Sequence, residues 1–247
     1  MRIFCQYNPQ LDCFLKGLVE YVLDSYGNQL LLDDLEEIEL IKDLPGSSDG
    51  RVIEGGKKIV LSSRLFSLLP TYEVSELLEN INYRLIVNTL YHEMGHVSDM
   101  KTMPHIYAVA QNLEKEDQML PAFFWAEYWA EKRSCSSNII DYTEYCEDFA
   151  NREWKSYKFD FCTGAEENFF YLCKTLSYYM GRTTDLVIRQ KFCAKMKNAL
   201  LKSFIDSLGS ELFMLEEQLP FDDAEKLSNL SLILNEYRLK FHQTFSP

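Results

Sequence analysis

His92 and His96 stand four residues apart in Leu90-Tyr91-His92-Glu93-Met94-Gly95-His96. On an α-helix, residues at that spacing share a face, with Cβ atoms about 5–6 Å apart. Two imidazoles so placed converge on one zinc ion at nitrogen–metal distances of roughly 2.0–2.1 Å. Glu93 is turned about 100° around the helix from His92. It is thereby kept off the metal and can face an attacking water, the geometry that a general base requires. The chain has only four histidines, so two falling four apart around a glutamate is on the order of a one-in-a-hundred coincidence. Gly95 costs about 1 kcal/mol of helix propensity relative to alanine, and a neighbour such as a sheet edge passing close by would explain it.

A catalytic zinc takes three protein ligands and keeps one position open. His105 follows Pro104 in an expected turn and His242 is distant in sequence, so neither has ligand spacing. Asp99 shares the helix face of His92 but lies about 4.5 Å beyond His96 along the axis. Accepting an N–H from His96 and plain surface solvation are the two readings for it. The third ligand is then a carboxylate on a later helix. Glu127, in Trp125-Ala126-Glu127-Tyr128-Trp129-Ala130-Glu131, sits among aromatics that suggest burial, and a buried acid needs a metal, a cation or a hydrogen-bond partner. Glu127 is the leading choice. Glu131, one turn on, is the alternative, unless it pairs with Lys132 or Arg133; Arg133 could also orient the ligand acid.

The elements that must carry these residues are legible in outline. Asn8-Pro9 reads as an N-cap and first-turn proline for a helix bearing Leu11, Phe14, Leu15, Leu18 and Val22, with Gly27 as its stop. Ile38, Leu40 and Ile41 suggest a strand, and 45–50 is dense turn punctuation. Residues 51–54 and 58–61 flank Gly55-Gly56 as a β-hairpin, which makes three short strands. The strand at 58–62 is either purely structural or an edge for an extended peptide. Helical spacing returns from Tyr72 to Met100 and ends at Thr102-Met103-Pro104. Further helices are expected from Pro121, near 164–180 closed by Gly181, near 184–207 closed by Gly209, and near 222–243. The fold class expected is α+β, mostly α: a three-stranded sheet on the His-Glu helix, then a helical C-terminal region. Residues 1–136 would form the core and 137–247 the helical region, packed on it or continuous with it.

Composition narrows the classes. The net charge of -13 repels phosphate backbones, which argues against nucleic acid as partner. Seven cysteines with no C-x-x-C fit reduced thiols better than a disulfide framework; Cys135 reads as a buried helix thiol rather than a nucleophile. No apolar run approaches the roughly 20 residues of a membrane span, and the N-terminus lacks a signal-peptide stretch. A cytoplasmic protein without a membrane role is the expectation.

With these residues in place, the chain resembles the zinc metallopeptidases that combine an H-E-x-x-H helix with a glutamate ligand on a later helix. The likeness is closest to the small ImmA/IrrE-type peptidases, whose later helix has the form E-x-x-A-(N/D)-x-x-A. Here that helix reads Glu127-Tyr128-Trp129-Ala130-Glu131-Lys132-Arg133-Ser134, preceded by the sheet segment Lys57–Leu65. Glu131 stands in place of Asn or Asp, Ser134 in place of a small apolar residue, and no helix-turn-helix segment is recognisable. The similarity spans about residues 30–136. It implies Zn²⁺ held by His92, His96 and Glu127, with Glu93 as general base in the hydrolysis of a peptide or protein substrate. The C-terminal helices would shape the cleft or bind a protein partner. The competing expectation is a zinc-stabilised interaction or regulatory module without catalysis.

Overall fold

The computed structural model describes residues 1–5, 8–44, 49–112, 116–137, 139–140, 165–183 and 186–245. The expected turn at 45–48, Cys146 and Cys162 lie outside them. The chain divides into two compact units: Met1–Thr102 with Arg133–Ile140, and the described residues of Met103–Lys132 with Asp141–Pro247. The fold is α+β and mostly helical, as expected.

The first unit holds the sheet, and the sheet has four strands, not three. β1 (Arg2–Cys5) pairs parallel with β2 (Glu37–Ile41), which pairs parallel with β4 (Lys58–Ser62); β3 (Gly50–Ile53) pairs antiparallel with β4. The order β1-β2-β4-β3 puts β4 inside the sheet. Both its backbone edges are used, so β4 is a structural strand and the edge beyond it belongs to β3. Ile38, Leu40, Ile59 and Leu61 alternate onto one buried face. On the other, Lys58 bridges Glu37 and Glu39, the latter at 2.7 Å.

Helix α1 (Pro9–Tyr26) starts as its sequence dictates: Asn8 Oδ1 accepts from the Gln10 amide at 3.0 Å, and Pro9 opens the first turn. Its apolar stripe is buried. The continuous helix expected from Tyr72 is broken into α2 (Val74–Leu77) and α3 (Ile81–Thr102). Asn80 makes the break, since its Oδ1 accepts from the amides of Asn82 and Tyr83 at 2.9 and 3.2 Å and so caps α3. An aromatic seam joins α1 to α3, with Tyr26 and Tyr91 ring centroids 5.3 Å apart and Phe14 and Tyr83 at 6.2 Å. The Ser98 hydroxyl accepts from the Leu31 amide at 3.0 Å, tying the lower half of α3 to the loop after α1.

Among its described residues the second unit holds helices and no strand. α4 (Pro104–Ala110) opens on Pro104, and Asp222 Oδ1 accepts from the amides of His105 and Ile106 at 2.9 and 3.1 Å. α5 (Glu116–Ser136) begins five residues before Pro121 and contains it, so the proline costs one backbone bond within the helix rather than starting it. Its last turn counts in the first unit. α6 (Ala165–Arg182) is followed by α7 (Leu186–Lys195), α8 (Ala199–Glu216) and α9 (Ser228–Phe245). The single helix expected over 184–207 is thus two. Asn198 divides them by capping α8, accepting from the Leu201 amide at 2.9 Å. Phe204 on α8 stacks on Tyr237 of α9 at 4.6 Å. Among the described residues no helix is long and apolar enough to cross a membrane.

Gly181 falls one residue before the end of α6, where a stop is expected, whereas Gly209 lies well inside α8 and ends nothing. A Cβ on Gly181 would fall 2.9 Å from the Lys132 amide nitrogen and 3.0 Å from the Tyr128 carbonyl oxygen, so only glycine lets α6 approach α5 this closely. A Cβ on Gly209 meets nothing nearer than 3.5 Å, at the tips of Arg189 and Met180. The two alanine variants should therefore diverge. Gly181→Ala is expected to destabilise by about 1–3 kcal/mol through overpacking. Gly209→Ala should stabilise by up to about 1 kcal/mol through helix propensity. Paired thermal melts that moved the same way would contradict this packing.

Candidate metal centre

Helix α3 places His92 and His96 on one face, both under 10 % exposed, with ring centroids 4.6 Å apart and planes at 87°. Crossed rings at this distance present nitrogens from two directions to one point. Glu127, on α5, completes the set: the ligating atoms of His92, His96 and Glu127 all lie within 4.8 Å of one another. Donors on a tetrahedral zinc lie about 3.4 Å apart at bond lengths of 2.0–2.2 Å. Small side-chain rotations would bring the three donors to that spacing, and their chemistry suits an ion.

Glu131 serves elsewhere. It is 2 % exposed and its Oε1 accepts from Arg182 Nε at 2.7 Å, within the helical unit. Of its sequence neighbours, Lys132 pairs with Glu216 and Arg133 with Asp99. The Arg182 guanidinium lies over the Tyr179 ring, 5.2 Å from its centroid. His105 is on the surface, its Nδ1 2.6 Å from Asp222 Oδ2, and His242 is exposed on α9. Neither belongs to the cluster.

Asp99 is 1 % exposed, which rules out surface solvation. Arg133 Nη2 donates to Asp99 Oδ1, and Nη1 donates to the Gly95 carbonyl at 3.0 Å. The last turn of α5 is thereby fastened to α3 one turn beyond the histidines. Burial pushes the Asp99 carboxyl above its ordinary range, while Arg133 and the more distant His96 and His92 pull it back. The aromatic setting expected around Glu127 is present: Phe124, Trp125 and Tyr128 are fully buried, and Trp125 stacks on Trp129 at 5.7 Å. Burial, followed by the bond to Glu216, holds the Tyr128 hydroxyl protonated far above its usual range.

Two residues that lie against Glu131 and Glu93 escape a local reading of the sequence. Arg182 lies 51 positions from Glu131, and Gly50 was absorbed into the turn punctuation of 45–50. What would have pointed to Arg182 is a buried acid without a cation at helical spacing; Gly50 carries no such signal.

Fold and site together define a mostly helical α+β chain with a candidate His-His-Glu metal centre. No protein-family model, curated protein or solved structure matches it.

Proposed function

We propose that this chain is a zinc-dependent peptidase, in keeping with its likeness to the ImmA/IrrE-type enzymes. The observation that carries the reading is the His92-His96-Glu127 cluster with Glu93 buried beside it on α3. Among the described residues the cluster has three donors, the number a catalytic zinc takes, whereas structural zinc takes four. A divalent ion on this triad would supply a Lewis acid for the scissile carbonyl and for the attacking water. His92, His96 and Glu127 would hold it, the carboxylate offsetting part of its charge. Glu93 takes the proton from the attacking water at a carboxylate oxygen and hands it to the leaving amine. The five described cysteines are free thiols, which favours a reducing, cytoplasmic setting.

The test is digestion of a peptide library by the zinc-loaded protein against a chelator-treated control, together with zinc analysis of two variants. Cleavage only with zinc is expected. Glu127→Gln should lose the ion, and Glu131→Gln should keep it while melting lower, because Arg182 keeps an acceptor but loses the buried negative charge beside it. Stoichiometric zinc with no cleavage of any peptide would turn the reading to the interaction module. Zinc retained in Glu127→Gln but lost in Glu131→Gln would overturn the ligand set.

A further inference from the structure

We propose that Gly50 is a positioning residue for Glu93: the missing side chain at the start of β3 is the recess that sets the carboxylate's place. The inference rests on the reading of Glu93 as general base, and it begins from a question about the glycine. A glycine is required either by backbone conformation or by a close neighbour. Backbone conformation is excluded here, since the described glycines with positive φ are Gly55 and Gly56. The neighbour is Glu93. A Cβ built on Gly50 falls 2.7 Å from both Cγ and Oε1 of Glu93 and 3.0 Å from Cδ, and real Cβ contacts essentially never lie under 3.0 Å.

The contact with Cγ matters most. A clash with the carboxylate tip alone could be relieved by swinging the tip, but a clash at Cγ requires a change of χ1. Any other χ1 well moves the whole carboxylate by more than 1 Å, and with Glu93 only 7 % exposed there is little open space to receive it. β3 can exert this constraint because it is stitched in register to β4, Gly50 opposite Leu61 and Val52 opposite Ile59, and so cannot recede. Gly50 therefore faces α3 on the same side as Val52. The edge strand, and not the helix alone, fixes where the base stands.

The test separates this steric coupling from catalysis. In the metal-free protein, Gly50→Ala is expected to lower Tm by about 3 °C or more. In a Glu93→Ala background, which lacks Cγ, Cδ and both oxygens, the same change should leave Tm unaltered or raise it, because alanine suits a strand interior better than glycine. Failure of Gly50→Ala to fold only when Glu93 is present supports the inference equally. In the zinc-loaded protein, kcat of Gly50→Ala should fall about 100-fold with KM and zinc content unchanged, the loss expected of a base displaced by about 1 Å. An equal Tm change, or misfolding, in both backgrounds overturns the proposal, as does an undiminished kcat in Gly50→Ala. If zinc-loaded wild-type protein cleaves nothing, the peptidase reading fails while the Tm cycle still decides whether Gly50 places Glu93.

Discussion

Glu93→Gln is expected to retain one zinc per chain, keep the wild-type melting temperature, and lose turnover by about 10²–10⁴-fold at unchanged KM. Glutamine has the shape of glutamate, so the recess at Gly50 stays filled and the packing of α3 against β3 is kept. The candidate metal donors are His92, His96 and Glu127, none of which the substitution touches. What is lost is a basic oxygen, and positioned general bases contribute on the order of 10²–10⁴ in rate. Stability should not fall, because a buried neutral amide costs less to desolvate than a carboxylate. The informative contrast is His92→Ala, which should lose ion and activity together. Steady-state kinetics beside metal analysis decides the matter: full turnover in Glu93→Gln would remove the base from the mechanism.

The division between what a sequence reading reaches and what it misses follows the range of the interactions. His92 and His96 are placed by helical spacing, Asn8-Pro9 by cap chemistry and the β3–β4 hairpin by Gly55-Gly56, each within a handful of residues. Glu127 is an intermediate case. Its aromatic surroundings suggest an acid in need of a partner, and it takes the fold to place Glu127 near the histidines while Glu131 meets Arg182 from α6. β1 is four residues long and pairs in parallel with a strand 35 positions away, so no local turn announces it. The parallel pairing of β2 with β4 is equally non-local, and it is what makes β4 interior.

Asparagine explains the helix boundaries that were misplaced. Asn80 and Asn198 sit within otherwise continuous apolar periodicity, and each ends one helix and caps the next with its own side chain. Periodicity alone reads through such a residue. Gly209 misled in the opposite sense, since it reads as a stop but lies inside a continuing helix; Gly181 does stand at a helix end, yet it is there because the α5 backbone comes close. A glycine's meaning is set by what lies across from it, which is a tertiary fact.

Arg133→Met is expected to cost about 3–5 kcal/mol of stability at neutral pH, the range for breaking a buried ion pair from one side. The guanidinium is mostly buried and gives one hydrogen bond to Asp99 and another to the Gly95 carbonyl, while Asp99 is 1 % exposed. Methionine replaces the aliphatic length but leaves a carboxylate in a site that already disfavours its charge. The pH dependence has a definite sign. Burial raises the folded-state pKa of Asp99 above its unfolded value, and loss of Arg133 raises it further. The protonated acid is thus the form the folded state prefers, so the variant's deficit relative to wild type is smallest at low pH and grows as pH rises through that folded pKa. Asp99→Asn added to Arg133→Met should recover most of the loss, since the remaining groups are neutral. Because Arg133 fastens the helix that carries Glu127 about 9 Å further back, zinc affinity should also fall about 10–100-fold. Urea unfolding of the metal-free single and double variants from pH 5 to 8, with zinc titration at pH 7, tests each part. A pH-independent deficit, or no recovery in the double variant, would show that Arg133 acts through its aliphatic packing and not through the Asp99 charge.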